Sequence, residues 1–99
     1  MTVRDTICEA ISAKRLIRFW YPGSRPSYRT VEPHLLGVDE AGDDVTLSAF
    51  QVEGGSGNAW RDFHVSKITQ LTVLEQTFSA PRQGYNPRDT TMSRIICRI

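Results

Sequence analysis

The sequence predicts one mainly β (α+β) domain, a small antiparallel β-barrel with an N-terminal helix and a docked C-terminal tail. Three observations predict it. Apolar side chains recur at helical spacing near the start, five short runs then alternate apolar and polar residues between tight turns, and the last residues are rich in isoleucine. Short strands with tight connections are typical of barrels and strongly bent sheets. The length of 99 residues is enough for one hydrophobic core.

The N-terminal helix is predicted over residues 2–15. Its apolar stripe consists of four residues on one helical face: Val3, Ile7, Ala10 and Ile11. Thr2 and Asp5 have the spacing of a capping box, with aspartate in place of the usual glutamate or glutamine. Lys14 and Arg15 are expected in the last turn, where cations suit the helix dipole. A helix this short is not stable alone, so its stripe must pack on the strands.

Five runs of strand character follow the helix: residues 16–21, 28–38, 45–52, 60–65 and 68–74. Pro33 interrupts the second run, so we expect a bulge, a bend or a sheet edge there. The connections are a proline–glycine turn over residues 22–26, an acidic turn over residues 39–44 and a glycine-rich loop over residues 53–59. Tight turns between successive strands favour antiparallel pairing.

The chain divides into a helix-plus-barrel domain over residues 1–77 and a C-terminal extension over residues 78–99 that packs on the same domain. Asn86, Pro87 and Asp89 have the spacing of a helix N-terminus, so one helical turn is predicted near residues 87–92. Residues 94–99 are predicted to form a last strand. Ile95, Cys97 and Ile99 would share one side of it and dock the extension.

Composition places the chain among ordinary globular proteins. It is 39% hydrophobic and 23% charged, with a net charge of +1. The sequence has neither an apolar run long enough to span a bilayer nor a signal peptide at its start, so we expect a cytoplasmic protein with no membrane association. In that compartment Cys8 and Cys97 are expected to be reduced thiols.

The sequence carries no recognisable catalytic set. Its two histidines, His34 and His64, lack metal-ligand spacing with each other or with the cysteines. The glycine loop has no following Lys-Ser/Thr of a phosphate-binding loop, and no nucleophile elbow occurs. We therefore expect a non-enzymatic protein without a cofactor or a metal.

Two arginines are predicted to face inward. Arg29 shares a strand face with Val31, and Arg61 shares one with Phe63. A buried guanidinium must meet a carboxylate, backbone carbonyls, water or an anionic ligand, because it cannot lose its charge. One interpretation is a pocket that recognises phosphate or carboxylate.

The alternative is an internal ion pair with a nearby acid, or a shifted strand register that turns the arginines outward. The acids available for such a pair are Glu32, Asp62 and Glu75. Four aromatic residues could flank a pocket or simply fill the core: Trp20, Tyr21, Tyr28 and Trp60.

An ordered set of short motifs over about residues 5–75 resembles the WYL domain family of bacterial ligand-sensing modules, which are often attached to winged-helix transcription regulators. These motifs, in chain order, are Ala10-Ile11 with Lys14-Arg15, Phe19-Trp20-Tyr21, Arg29-Thr30-Val31-Glu32-Pro33 and Arg61-Asp62-Phe63-His64-Val65-Ser66-Lys67-Ile68. The chain departs from the family pattern in two places. Val45-Thr46-Leu47 stand where the family has Trp-Tyr-Leu, and Lys67 stands where it has arginine.

The resemblance implies an Sm-like β-barrel and a basic pocket that binds an anionic, nucleotide-like small ligand or a short single-stranded nucleic acid. Carried over by motif, the ligand-binding residues are Tyr21, Arg29, Arg61 and Lys67. Sequence analysis therefore predicts a regulatory binding module of the WYL type. The alternative is a structural or assembly subunit, a homo-oligomer that associates through barrel strand edges.

Overall fold

Helix α1 (Val3–Ala13) is the first element of the computed structural model, which describes residues 2–23, 28–40, 42, 44–54, 58–88 and 92–99. The predicted capping box is confirmed: the Thr2 side chain accepts from the Asp5 N–H, and the Asp5 carboxylate accepts from the Thr2 N–H, both at 3.1 Å. Of the predicted stripe, Ile7, Ala10 and Ile11 are buried. Val3 was placed on that stripe wrongly, because it lies in the first turn and is 39% exposed.

The helix ends earlier than predicted. Lys14 adopts a left-handed backbone conformation (φ +52°) and is the C-cap, and its N–H donates to the carbonyls of Ala10 and Ile11. Arg15 already belongs to the first strand, and its Nε donates to the Leu74 carbonyl at 2.7 Å. The two cations therefore do not sit together in a last helical turn.

The described residues form six strands after the helix. Their bounds are β1 (Arg15–Trp20), β2 (Tyr28–Asp39), β3 (Val45–Gly54), β4 (Ala59–His64), β5 (Thr69–Thr77) and β6 (Met92–Arg98). A 3-10 turn (Val65–Lys67) joins β4 to β5. The helical turn predicted near residues 87–92 lies partly outside the described residues, although Asn86 Oδ1 accepts from the Arg88 N–H as an N-cap would.

The observed pairings are antiparallel and run in the order β4-β3-β2-β1-β5. The mainly β class with one N-terminal helix is therefore confirmed. Among the described residues no ladder joins β4 to β5, so the sheet is not closed and the Sm-like barrel stays a prediction. No helix in the described part of the chain is long and apolar enough to cross a membrane.

Strand β2 is the centre of the sheet. One edge pairs with β3 along its length, while the other edge pairs with β1 in its first part and with β6 from Leu35 onward. The β2–β3 register shifts between Pro33 and Leu35, as expected for a proline that cannot donate to the ladder. Two different strands, β1 and β6, therefore share the second edge of β2.

Helix α1 covers an apolar core that lies on the inner face of this sheet. Its fully buried side chains include Phe19, Val31, Leu36 and Leu47, and Phe63 meets Phe19 edge to face at 5.0 Å between ring centroids. Each such side chain contributes roughly 1.5–3 kcal/mol of burial free energy. Alternate residues of the strands therefore point outward, which gives the sheet a second face.

Strand β6 joins this core through a bulge. Leu36 pairs with Cys97 and Gly37 with Ile95, so β6 has one extra residue there. The residues of β6 and the C-terminus that pack against the core are Ile96, Cys97 and Ile99. The predicted set of Ile95, Cys97 and Ile99 was therefore wrong in one member, because a bulge interrupts the alternation of faces.

Cys8 and Cys97 form a disulfide bond, with their Cα atoms 5.8 Å apart. The expectation of reduced thiols was wrong. It rested on compartment and on sequence separation, whereas the fold lays β6 beside helix α1 and brings the two side chains within bonding range. The bond fastens the C-terminal strand to the first helix.

Residues 78–88 pack over the outer face of β2, β3 and β4, around His34. The imidazole is fully buried and lies within 5.2 Å, between ring centroids, of Trp60, Phe78 and Tyr85. Its Nε2 accepts from the Arg82 N–H at 3.1 Å, so Nδ1 carries the proton and donates to the Glu32 carbonyl at 2.8 Å. Burial lowers the pKa of His34.

The Glu32 carboxylate completes this cluster. Arg82 donates to it through Nε at 2.7 Å and through Nη2 at 3.1 Å. The Glu32 side chain is 8% exposed and the Arg82 side chain 46% exposed, so Glu32 of β2 is the buried partner of the pair. The Arg82 guanidinium also lies over the Phe50 ring, and Trp60 Nε1 donates to the Gln83 carbonyl.

Candidate ligand-binding site

A pocket of about 250 Å³ lies at the end of the β1–β2 hairpin, beside β4. Its lining residues are Tyr21, Pro22, Gly23, Arg29, Arg61, Asp62 and Phe63. Three of the four predicted site residues, Tyr21, Arg29 and Arg61, are therefore brought together. Lys67 is not among the lining residues and is exposed in the 3-10 turn.

Tyr21 forms one wall of the pocket, directly after β1. Its ring meets Phe63 edge to face at 5.0 Å between centroids, and its hydroxyl accepts from the His64 N–H at 2.9 Å. These contacts with β4 hold the ring at the boundary between the core and the pocket. The Tyr21 ring therefore presents a fixed apolar surface to a ligand in the pocket.

Arg29 forms the floor of the pocket and is only 5% exposed. Its guanidinium carbon lies 5.8 Å from the centroid of the Tyr21 ring, and Nη1 donates to Gln51 Oε1 at 3.4 Å. Gln51 is fully buried, and its amide nitrogen donates to the Gly54 carbonyl at 2.7 Å. The Gln51 side-chain amide, itself held by a hydrogen bond, thus fixes the position of the Arg29 guanidinium.

Gly54 pairs with Arg29 in the β2–β3 ladder and allows the two strands to approach closely. Its backbone has φ +90°, and a Cβ atom there would lie 2.0 Å from the Tyr28 carbonyl oxygen. No L side chain fits that distance. Glycine at this position therefore sets the location of Arg29.

Positive charge dominates the electrostatics of the pocket. Burial and then the charge of Arg61 lower the pKa of Arg29, although arginine keeps its proton at neutral pH. Two like charges therefore act on each other inside one cleft, and an anion between them would offset that repulsion. Asp62 also lines the cleft and contributes the one carboxylate among its described lining residues.

The remaining residues singled out in the sequence lie elsewhere. Glu32 forms its ion pair with Arg82. Trp60 lies under residues 78–88, and Tyr28 lines a separate groove on the outer face of the sheet.

Sequence reasoning missed Gln51 as the support of Arg29. A signal was present, because Leu47, Ala49 and Gln51 alternate along the third strand and all three are buried. A polar residue in register with two core residues indicates a buried hydrogen-bonding partner. Its partner could not be read from spacing, since Arg29 is 22 residues away along the chain.

Comparison with protein-family models gives a match to the WYL domain over residues 2–73. The chain belongs to the WYL domain family. WYL domains are generally regulatory or ligand-binding modules. The matched segment contains every residue of the pocket, whereas residues 74–99 lie beyond it.

This WYL domain is similar to a solved structure, Proteasome accessory factor B/C (PafBC) of Arthrobacter aurescens. The two are 30% identical, with a TM-score of 0.67 over 86% of this chain. The chain spans 13% of the length of that protein. None of the curated proteins matches the sequence.

Proposed function

We propose that this WYL domain is a non-enzymatic regulatory module that binds an anionic, nucleotide-like ligand or a short single-stranded nucleic acid at the pocket between β1, β2 and β4. The observation that carries the proposal is the approach of Arg29 and Arg61 beside the Tyr21 ring in one cleft. A guanidinium is suited to phosphate because its donors are planar and match two oxygens at once. We also propose that the sheet has the Sm-like barrel form that the family resemblance implies.

The size of the pocket favours a single nucleotide unit. Its volume of about 250 Å³ is below the roughly 300–1,000 Å³ typical of sites for drug-sized molecules. One phosphate between the arginines and one ring against Tyr21 would use the polar and apolar walls together. Lys67 would contribute long-range attraction from the 3-10 turn rather than a direct contact.

The test replaces both arginines. Arg29→Met/Arg61→Met should reduce affinity for a rhodamine-labelled eight-nucleotide oligothymidylate by at least about a hundredfold, because each hydrogen bond to a charged group contributes about 1.5–3 kcal/mol. The matched control is Arg88→Met/Arg94→Met, which removes the same charge from exposed positions. Binding is measured by fluorescence anisotropy, and circular dichroism checks the fold. Equal affinity of the two double variants would contradict the proposal.

Salt dependence separates the two classes of ligand. For a single strand, the log–log slope of affinity against salt should be about −0.7 for each phosphate contacted. For thymidine monophosphate in the pocket alone, the dependence should be much flatter. The comparison uses the wild-type protein and both ligands at the same pH.

A further inference from the structure

The outer face of β1, β2 and β5 carries aromatic and basic side chains that the pocket does not use. Trp20 pairs with Tyr28 and Arg18 pairs with Thr30 in the β1–β2 register, so these side chains share the face opposite Phe19 and Arg29. Tyr28 is the first residue of β2 and is 40% exposed, which makes its ring one of the few large hydrophobic groups open to solvent among the described residues. The Arg18 guanidinium carbon lies 5.1 Å from the centroid of its ring.

Gln70 holds the Tyr28 ring in place from β5. Its side chain accepts a hydrogen bond from the Tyr28 hydroxyl at 2.5 Å. The Gln70 backbone is left-handed (φ +53°) and lies where the β1–β5 register shifts between Arg18 and Trp20. Lys14 has a similar φ because it caps a helix, whereas Gln70 is inside a strand. A β-bulge changes the direction of a side chain, here that of Gln70 toward Tyr28. Strained backbone conformations of this kind are concentrated at functional sites.

These residues line a groove of about 590 Å³, more than twice the volume of the pocket. Its lining residues are Arg18, Tyr28, Gln70, Leu71, Thr72 and Leu74. They supply a cation, an aromatic ring, an amide and a hydroxyl, and no carboxylate is present among these described lining residues. That combination binds single-stranded nucleic acid, since rings stack on bases, guanidinium groups pair with phosphates, and amides and hydroxyls reach base edges.

The groove and the pocket lie at the same end of the β1–β2 hairpin. Trp20 and Tyr28 are the last paired residues of that hairpin, and each is followed directly in the chain by a pocket residue, Tyr21 and Arg29 respectively. Successive residues of a strand face opposite sides. The pocket and the groove therefore lie on opposite faces of the β1–β2 pair, and a single strand of nucleic acid long enough to reach both would contact each of them.

We propose that this outer face is a second contact site for single-stranded nucleic acid, in which Arg18 binds a phosphate and Tyr28 stacks on a base. The inference rests on the proposed function, which it narrows from a small anion to an oligonucleotide. One nucleotide occupies the pocket, and nucleotides farther along the strand occupy the groove. Affinity should therefore increase with the length of the ligand until both sites are filled.

The test compares ligand lengths in two double variants. The ligands are thymidine monophosphate and rhodamine-labelled oligothymidylates of two, four and eight nucleotides. Arg18→Met/Tyr28→Ala should bind the eight-nucleotide ligand at least about tenfold more weakly than the wild type, since stacking of one base contributes that much or more. It should bind the monophosphate with unchanged affinity. Val3→Ala/Arg4→Met is the matched control, because it removes an exposed apolar side chain and an exposed charge from helix α1.

Two further variants separate the roles of the two side chains. Arg18→Met alone should reduce the magnitude of the log–log salt slope for the eight-nucleotide ligand by about 0.7, the value for one phosphate contact. Tyr28→Phe keeps the ring and loses the hydrogen bond to Gln70, so it should keep most of the affinity. These single variants also preserve the test if the double variant fails to fold.

The outcomes distinguish the two proposals. Wild-type affinity of Arg18→Met/Tyr28→Ala for every ligand length would overturn the second site and leave the pocket intact. A loss of affinity in that variant, together with no loss in Arg29→Met/Arg61→Met, would overturn the pocket and retain the outer face. Failure of the wild-type protein to bind either ligand class would overturn both.

Discussion

Gly54 shows how one residue without a side chain sets the position of a buried charge. A Cβ atom at this position would lie 2.0 Å from the Tyr28 carbonyl oxygen, so the β2–β3 pair would have to separate beside Arg29. The left-handed backbone at Gly54 adds a second cost for any L residue. The consequence reaches both faces of the sheet, because Tyr28 and Arg29 serve the groove and the pocket respectively.

Gly54→Ala is therefore expected to lower the free energy of unfolding by at least about 2 kcal/mol, since it combines backbone strain with a steric clash. Urea denaturation measures the change. Gly23→Ala separates the two causes, because Gly23 has φ +123° but a Cβ atom added there would meet no other atom within 4 Å. It should cost less than Gly54→Ala, and Gly42→Ala should cost least. Equal stability of all three variants would contradict this account.

At the scale of elements, the strands and the helix could be predicted because their signals are local. Alternation of apolar residues identified the strands within a few residues of their bounds, and the capping box identified the start of α1. Three features escaped prediction: the bulges in β5 and β6, the Cys8–Cys97 bond and the cluster around His34. Each depends on residues far apart in the chain, and their meeting is decided by tertiary structure.

The segment 78–88 illustrates such a tertiary feature, because the hydrogen bond from the Arg82 N–H requires an unprotonated Nε2 on His34. Protonation of His34 would turn Nε2 from an acceptor into a donor that faces the Arg82 N–H. The charged groups near the imidazole are the Glu32 carboxylate and the Arg82 guanidinium, and the Tyr85 ring lies 5.2 Å from it between centroids. Burial lowers the pKa of His34 in the folded protein. The associated stability is therefore present above about pH 6.5 and is lost as the pH falls below that value.

His34→Gln should remove this pH dependence, because a glutamine oxygen can accept from the Arg82 N–H and does not titrate. Between pH 8 and pH 5, urea denaturation of the wild type should show a free energy of unfolding that falls by up to about 1.4 kcal/mol per pH unit at the acidic end. The variant should show a smaller slope. His64 is common to both proteins, so the difference between them reports on His34. Parallel pH profiles would show that His34 does not control the docking.

At the scale of the whole molecule, the Cys8–Cys97 bond closes a loop with a sequence separation of 89 residues. It joins the first helix to the last strand, and the described strands between them belong to one sheet. Such a bond reduces the conformational entropy of the unfolded chain more than that of the folded chain. The fold class could be predicted from composition and periodicity. The disulfide bond could not, since the presence of two cysteines does not by itself indicate that they are bonded.

Reduction with dithiothreitol should therefore lower the free energy of unfolding by up to about 4–5 kcal/mol, the value that the chain-entropy model gives for a loop of this length. The midpoint of urea denaturation, measured with and without the reductant, reports the loss. Cys8→Ser/Cys97→Ser should have about the midpoint of the reduced wild type both with and without the reductant. A wild-type midpoint that is the same with and without dithiothreitol would contradict the bond or its effect.

The same bond changes how the domain would carry mechanical tension. If Thr2 and Ile99 were pulled apart, the force would run along the first turns of α1, cross the sulfur atoms and leave through the last residues of β6. Strands β1 to β5, the pocket and the outer groove lie within the covalent loop and would bear little of that load. Under reducing conditions the force would instead separate β6 from β2 and would then act on β2, the strand that contains Arg29.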